Sequence, residues 1–240
     1  MTIKPKIKQY ASKKEVAEAF SQFFAGFINN KSKVNVALSG GSTPKIVFDF
    51  LAENFKDEID WSTINLWWGD ERCVPPSDKD SNYKMTVEHL ISKIKIPKDN
   101  VYRIWGESEP EAEARRYAQL IDQKIPKENG VPQFDLVILG MGDDGHTASI
   151  FPHEIKLWKS AKNCVVAKHP ESGQERISIT GRIINNAYAV AFLVTGESKA
   201  EKVETILKGG DAAKKFPASL VKPDSGNLLW FVDNAAAKKL

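Results

Sequence analysis

The chain has 240 residues, 42% of them hydrophobic and 27% charged, a globular balance with enough apolar material to bury a core without disulfide or metal staples. Its 34 basic and 31 acidic side chains leave a net charge of +3, too slight and too unclustered to argue for nucleic acid but compatible with a small anionic substrate. Cys73 and Cys164 lack CxxC spacing and read as free thiols in a reducing compartment. The segment MTIKPKIKQY has no apolar signal region, and no run of roughly 18 apolar residues occurs, so a cytoplasmic protein without membrane attachment is expected.

In chain order, Ser12-Lys13-Lys14-Glu15 reads as a capping box. It opens an amphipathic helix with Val16, Phe20, Phe23, Phe24 and Phe27 near one face. Val34 to Leu38 is a short strand. Ser39-Gly40-Gly41-Ser42-Thr43-Pro44 follows, with Pro44 placed as the first residue of a helix, where its missing N–H is not needed. A second strand, Ile64 to Trp68, ends at Gly69-Asp70-Glu71-Arg72 before a Pro-, Asp- and Ser-rich loop at 74–82. A helix over 82–92, an irregular stretch at 97–110 and a helix from Glu111 to Asp122 come next. Phe134 to Leu139 is an apolar strand running into Gly140-Met141-Gly142-Asp143-Asp144-Gly145-His146. Later strands fall at 163–168, 176–180, 189–194 and 227–232, with a helix at 198–208. The 30 residues before the first of these strands offer one helix only. Strands separated by helices imply βαβ units and a mainly parallel sheet covered on both faces. The loop at 125–133 is the best candidate boundary, but core-like segments flank it, and one domain over 1–240 is the better reading.

Three polar clusters each follow an apolar strand, at the end where open parallel sheets bind ligands. Ser39 to Thr43 has the makings of an anion cradle, because glycines admit backbone N–H groups to a phosphate and the next helix adds its N-terminal donors. It is not a Walker A loop, since no GK[ST] follows. An ordinary strand-to-helix turn capped by Ser or Thr would look the same. Gly140 to Gly145 matches G-x-G-x-x-G, yet it lies mid-chain, and Ala161-Lys162-Asn163-Cys164 offers no acidic residue about 20 positions on, which argues against a dinucleotide. Two acids and a histidine in that turn suit proton chemistry better. An imidazole titrates near 6.5, so His146 can take a proton from water near neutrality, with Asp144 orienting the ring or the water. The competing account is a buried histidine closing the turn. His89 reads as a helix-surface residue, and His153 and His169 as loop residues. Arg72 has the donors to bind a carboxylate or an oxyanion, or it forms a local pair with Asp70 or Glu71. Trp67 and Trp68 read as core rather than as a sugar-stacking platform.

The set as a whole resembles the 6-phosphogluconolactonase family. The resemblance runs through SGGSTP at 39–44, Asp70-Glu71-Arg72-Cys73-Val74-Pro75 with Asp80-Ser81-Asn82-Tyr83, and Gly140 to Pro152 (GMGDDGHTASIFP). It continues in Arg176-Ile177-Ser178-Ile179-Thr180, Thr195-Gly196-Glu197-Ser198-Lys199-Ala200, Pro217 to Val221 and Leu229 to Asp233, so it covers most of the chain. It implies a Rossmann-like three-layer α/β sandwich with a mainly parallel sheet, shared with glucosamine-6-phosphate deaminase and ribose-5-phosphate isomerase. It also implies lactone hydrolysis in the oxidative pentose phosphate pathway, with no cofactor and no metal. The expected partner is a sugar-phosphate lactone, without nucleic acid or membrane, and the expected state is a monomer or weak homodimer. Carried onto this chain, Gly41, Ser42 and Thr43 with Arg176 and Lys199 would hold the phosphate. Asp70 would join the substrate site, with Arg72, His146 and Asp144 at the lactone end. The 73–83 segment is the candidate for closing over substrate.

Two alternatives share features of the pattern. Glucosamine-6-phosphate deaminases have a similar GSTP loop and DGH turn, but they carry a glutamate five residues after the histidine and a tyrosine after Asp-Glu. Here those positions are Phe151 and Arg72, which leaves an amino-sugar relay incomplete. Sugar-phosphate-sensing regulators of related fold would need a helix-turn-helix segment, for which the residues before the first strand offer too little.

Overall fold

The computed structural model describes residues 5–29 and 31–240. Residues 1–4 of the N-terminal segment read above as leaderless lie outside the described residues. In chain order the strands are β1 (Lys6–Tyr10), β2 (Val34–Leu38), β3 (Ile64–Trp68), β4 (Asp70–Arg72), β5 (Val101–Tyr102), β6 (Lys127–Glu128), β7 (Val131–Pro132), β8 (Leu136–Leu139), β9 (Cys164–Lys168), β10 (Glu175–Ile179), β11 (Ala189–Val194) and β12 (Leu228–Asp233). The α-helices are α1 (Lys13–Ile28), α2 (Ser42–Asn54), α3 (Asn82–His89), α4 (Pro110–Lys124), α5 (Gly181–Asn186) and α6 (Ala200–Lys208).

A seven-stranded sheet in the order β1-β12-β11-β8-β2-β3-β5 forms the centre, and every pairing within it is parallel. Strands β2, β3, β8, β11 and β12 are buried along their whole length, as nearly continuous apolar runs covered on both faces must be, with Asn35, Asn65 and Asp233 as buried exceptions. Period-2 alternation sorts neighbours to opposite sides. Trp67 packs on Tyr102, Tyr117 of α4 and Phe134, whereas Trp68 meets Tyr83 of α3. Both tryptophans are core, at 0% and 1% exposure. On α1, Phe20 and Phe23 pack on Phe231 of β12. The Ser12 hydroxyl caps α1 by accepting from Glu15 N, and the Glu15 carboxylate accepts from Ala11 N, which closes the helix start much as the sequence implies.

Several expectations need correction. The stretch before Val34 contains a strand as well as a helix: β1 forms an edge of the main sheet. It reads KIKQY, with no apolar run to announce it, and it is exposed or half-buried along its whole length, which suits a sheet edge. The Asp70-Glu71-Arg72 cluster is itself a strand, and it pairs with β10, which pairs in turn with β9, in a separate antiparallel sheet. The expected strands at 163–168 and 176–180 therefore belong to this second sheet and not to the parallel one. Their connection carries no helix, so they pair as a hairpin. Pro44 is the third residue of α2, because Gly41, at φ +104, is the cap; N–H groups remain unused through the first turn, so proline fits there equally well. The 97–110 stretch contributes the short edge strand β5, and 125–133 contains the β6–β7 hairpin, tied by Asn186 Nδ2 to the carbonyls of Val131 and Pro132.

Candidate active site

The C-terminal ends of β2, β3, β8 and β11 carry the clusters singled out in the sequence, and the small antiparallel sheet hangs over the same end. Gly69 joins the two sheets, donating to Leu38 O at 2.8 Å and accepting from Ile179 N at 2.8 Å. Between them lies a cavity of about 200 Å³ lined by Gly41, Ser42, Thr43, Asp70, Arg72, His146, Arg176 and Lys199. These residues come from five separate stretches of chain and meet in one place. Asp144 does not line the cavity; it stands behind His146.

The 140–147 turn is built around the histidine. Gly142 N donates to His146 O at 2.9 Å, Gly145 N to Gly142 O at 3.0 Å, and the Thr147 hydroxyl to Gly140 O at 2.8 Å. Asp144 Oδ1 accepts from His146 N at 3.0 Å and lies 2.6 Å from His146 Nδ1. Burial alone would raise the Asp144 carboxyl, but the hydrogen bond and charge of His146 outweigh it and hold the acid below its ordinary range. An ionised carboxylate only accepts, so it draws the proton to Nδ1 and leaves Nε2 with its lone pair. Gly142 is required by this close approach: a Cβ there would lie 2.1 Å from His146 Nδ1 and 2.7 Å from Asp144 Oδ1. The His146 ring packs at 4.5 Å on Phe151, which is 1% exposed. The Arg176 guanidinium sits 5.4 Å over the ring of the same phenylalanine.

Arg72 and Arg176 are cross-strand partners on β4 and β10, which places their Cα atoms about 5 Å apart. Like charges so placed repel. Burial, and after it the charge of Arg72, pulls the Arg176 guanidinium below its ordinary value. Both Nε atoms are buried without a hydrogen-bond partner. The local ion pair open to Arg72 in the sequence is not what forms. Asp70 Oδ2 accepts from the Ser149 hydroxyl at 2.6 Å, Glu71 accepts from backbone N–H groups and Ser81, and Arg72 Nη1 donates to Asp80 O at 2.6 Å. Two cations facing one cavity with unused donors suit an anion.

The phosphate-type loop lies opposite. Ser42 Oγ accepts from Lys13 Nζ at 2.9 Å, which leaves its proton to donate, and the Thr43 hydroxyl lies 2.8 Å from that of Thr195. Lys199 Nζ is 2.7 Å from Asp143 Oδ1, a contact that holds the Asp143 carboxyl low. Gly40 allows α3 to close on the loop, since a Cβ there would lie 1.8 Å from Asn82 Oδ1. Asn82, Thr195 and Ser149 escaped the sequence-based reading as individual residues, and Asp143 was read there only as one of two acids in the turn; all four lie within the matched motifs, but what each touches depends on chain crossings that no local pattern encodes.

The other histidines do not line the cavity, although the rings of His153 and His169 pack on Phe151 at 5.9 and 5.3 Å. His89 is paired to Asp49 at 2.9 Å with its side chain 18% exposed, so it is a half-buried link between α2 and α3 and not a plain surface residue. His153 belongs to the 3-10 turn that follows Phe151, and His169 follows β9 in a loop. Burial, then the charge of Arg176, lowers His169. Burial raises the Cys73 thiol to about 12 and Cys164 higher still, so neither is a ready nucleophile. No helix among the described residues is long and apolar enough to cross a membrane.

Residues 8–230 match the family model described as glucosamine-6-phosphate isomerases/6-phosphogluconolactonase. The chain is similar to the 6-phosphogluconolactonase of Treponema pallidum, 42% identical over 88% of this chain and 90% of the relative. Among solved structures it is similar to the devB protein, with a TM-score of 0.94 and 42% identity over 98% of this chain and 99% of that one. It also shares its fold with a monomeric glucosamine-6-phosphate deaminase of the NagB superfamily, with a TM-score of 0.84 at 22% identity over 98% of this chain and all of the other. The mainly parallel sheet flanked by helices that was expected is therefore the architecture these structures share, and the chain belongs to the glucosamine-6-phosphate isomerase/6-phosphogluconolactonase family.

Proposed function

We propose that the protein hydrolyses 6-phospho-D-glucono-1,5-lactone to 6-phospho-D-gluconate, with His146 as general base. The observation that carries this reading is the Asp144–His146 pair, which leaves Nε2 as the imidazole nitrogen able to take a proton, at a cavity that two unpaired arginines also enter. The similarity to the Treponema pallidum enzyme named 6-phosphogluconolactonase supports the substrate class.

The phosphate is held by the Ser42 and Thr43 hydroxyls, the N-terminus of α2, Arg176 and Lys199, so binding far from the reacting bond orients the ring. Lys199 exchanges its contact with Asp143 for the phosphate. His146 Nε2 removes a proton from water as the water attacks the lactone carbonyl at C1. Arg72 stabilises the tetrahedral oxyanion, a contribution of about 3 kcal/mol for one such donor. The imidazolium, favoured by the Asp144 carboxylate, returns the proton to the departing ring oxygen, and the carboxylic acid product then ionises. No covalent intermediate is needed: the serine nearest the cradle, Ser42, has Lys13 as its partner and no base to activate it.

Acid release from freshly generated lactone above the spontaneous rate is the test. A rate equal to background, together with ammonia release from glucosamine-6-phosphate, would replace this reading with deamination. The position of Phe151 argues against that outcome, because it sets an apolar ring on the imidazole where a deaminase has its second acid.

A further inference from the structure

Glu71, unlike Asp70 and Arg72 beside it on the same strand, does not line the cavity, and it is the most deeply buried of the three, at 2% exposure. A carboxylate taken out of water is costly unless its oxygens are well bonded. Here both are saturated by neutral donors. Oε1 accepts from Arg72 N at 2.8 Å and Asn82 N at 2.8 Å, and Oε2 from Ser81 Oγ at 3.0 Å and Tyr83 N at 2.8 Å. These donors stand at the two ends of the 73–81 segment. One carboxylate therefore staples the exit of β4 to the first turn of α3. Two further bonds complete the ring: Arg72 Nη1 donates to Asp80 O at 2.6 Å, and Asn82 Nδ2 to Asp70 O at 2.9 Å. The carbonyl that holds the Arg72 guanidinium belongs to the residue next to the stapled Ser81, so the guanidinium is only as fixed as that staple.

We propose that Glu71 is a positioning residue, which clamps both ends of the 73–81 segment and through Asp80 O holds the Arg72 guanidinium at the cavity. This rests on the assignment of Arg72 to the lactone end. Arg72 has a long, flexible side chain beside a second cation that repels it, so without an anchor its guanidinium would swing toward solvent. The mean charge of the region does not explain why a carboxylate sits here, since no cationic group among the described residues pairs with it. The geometry of four convergent donors does. In Glu71→Gln the shape is kept, but the amide NH₂ confronts one pair of donors, and that half of the staple opens.

The test is a double-mutant cycle on 6-phosphoglucono-δ-lactone with wild type, Glu71→Gln, Arg72→Ala and the double variant. If Glu71 acts through Arg72, Glu71→Gln lowers kcat by on the order of 10- to 100-fold, as misplacement of a reacting group does, with KM changed by no more than about 3-fold. The same substitution then has no further effect in the Arg72→Ala background. A purely structural pin would give a loss that multiplies in the double variant, and that result, or an unchanged kcat in Glu71→Gln, overturns the proposal. Should Glu71→Gln fail to fold, Ser81→Ala removes one donor only and should show a smaller kcat loss that likewise vanishes without Arg72; a loss that persists there counts against the clamp. A reading independent of turnover is the Nε–H resonance of Arg72, identified by its absence in Arg72→Ala. Because that Nε is buried, it should exchange slowly in wild type and fast in Glu71→Gln. Equal exchange in both would overturn the clamp even if the wild-type protein proved to have another substrate, while wild-type turnover at the spontaneous rate would remove the lactonase reading and leave the clamp to this measurement.

Discussion

Strands β3 and β4 are separated by a single residue, Gly69, and they follow opposite rules. Ile64 to Trp68 is apolar but for Asn65 and buried throughout, and it lies sixth in a sheet whose central strands read the same way. Asp70 to Arg72 is entirely charged, yet Asp70 and Glu71 are also buried, and the strand turns away to pair antiparallel with β10. The first strand is stabilised by removing apolar surface from water, at roughly 25 cal/mol per Å². The second is held by hydrogen bonds to Ser149, Ser81, Asn82 and Tyr83, and its Arg72 faces Arg176 of β10, each with an unused Nε donor. The parallel sheet is thus where stability resides, and the small sheet is where stability is given up so that an anion can be met.

That contrast can be broken or sharpened by substitution on each side. In the parallel sheet, Phe192 is fully buried and stacked on Trp230 at 4.2 Å. Phe192→Ala should cost about 3–5 kcal/mol in denaturant unfolding, with turnover per folded molecule unchanged. A loss of turnover without a loss of stability would mean that the sheet is not a passive platform. In the small sheet, Arg176→Met should do the reverse. It removes a desolvated cation next to Arg72, so the chain should be as stable as wild type or more so. At the same time KM for the phosphorylated lactone should rise by on the order of 10- to 100-fold, the worth of one charge-assisted hydrogen bond. A clear fall in thermal midpoint would show that Arg176 is part of the scaffold. The smallest effect concerns pH. Burial raises the Asp144 carboxyl, but the hydrogen bond and charge of His146 hold it below the usual carboxylate range, so the stability the pair adds is fully present above that range and is lost as the pH falls through it. Asp144→Asn removes the ionisable group and keeps an acceptor for Nδ1–H. The difference in denaturant midpoint between wild type and Asp144→Asn should therefore shrink as the pH falls below about 5. A difference that does not change with pH contradicts the pairing.

The same contrast explains what the sequence made legible. Apolar runs at 34–38, 64–68, 134–139 and 189–194 are unambiguous because burial on both faces demands them, and the polar clusters at their ends follow from strand polarity. The motifs that carry the family resemblance lie at those ends, so the expected residues other than Asp144 line one cavity. What stayed hidden depends on partners distant in the chain. Cys164–Lys168 and Glu175–Ile179 have the composition of ordinary strands, and nothing local says that they leave the parallel sheet for β4. The lysine-rich β1 has no apolar run at all. Glu71 reads as one more surface acid until the chain brings Ser81, Asn82 and Tyr83 around it. Asn82 likewise gains meaning only because Gly40 leaves room for it.

The central claim is that His146 moves the proton while the rest of the cavity binds. It is tested most directly by following acid release from freshly generated 6-phosphoglucono-δ-lactone with wild type and His146→Ala side by side, together with binding of 6-phosphogluconate to both by calorimetry. The account predicts turnover well above the spontaneous rate in the wild type, a fall of about 10²- to 10⁴-fold in kcat for His146→Ala, and product affinity retained to within a few-fold. Undiminished turnover in the variant would contradict the assignment of the base.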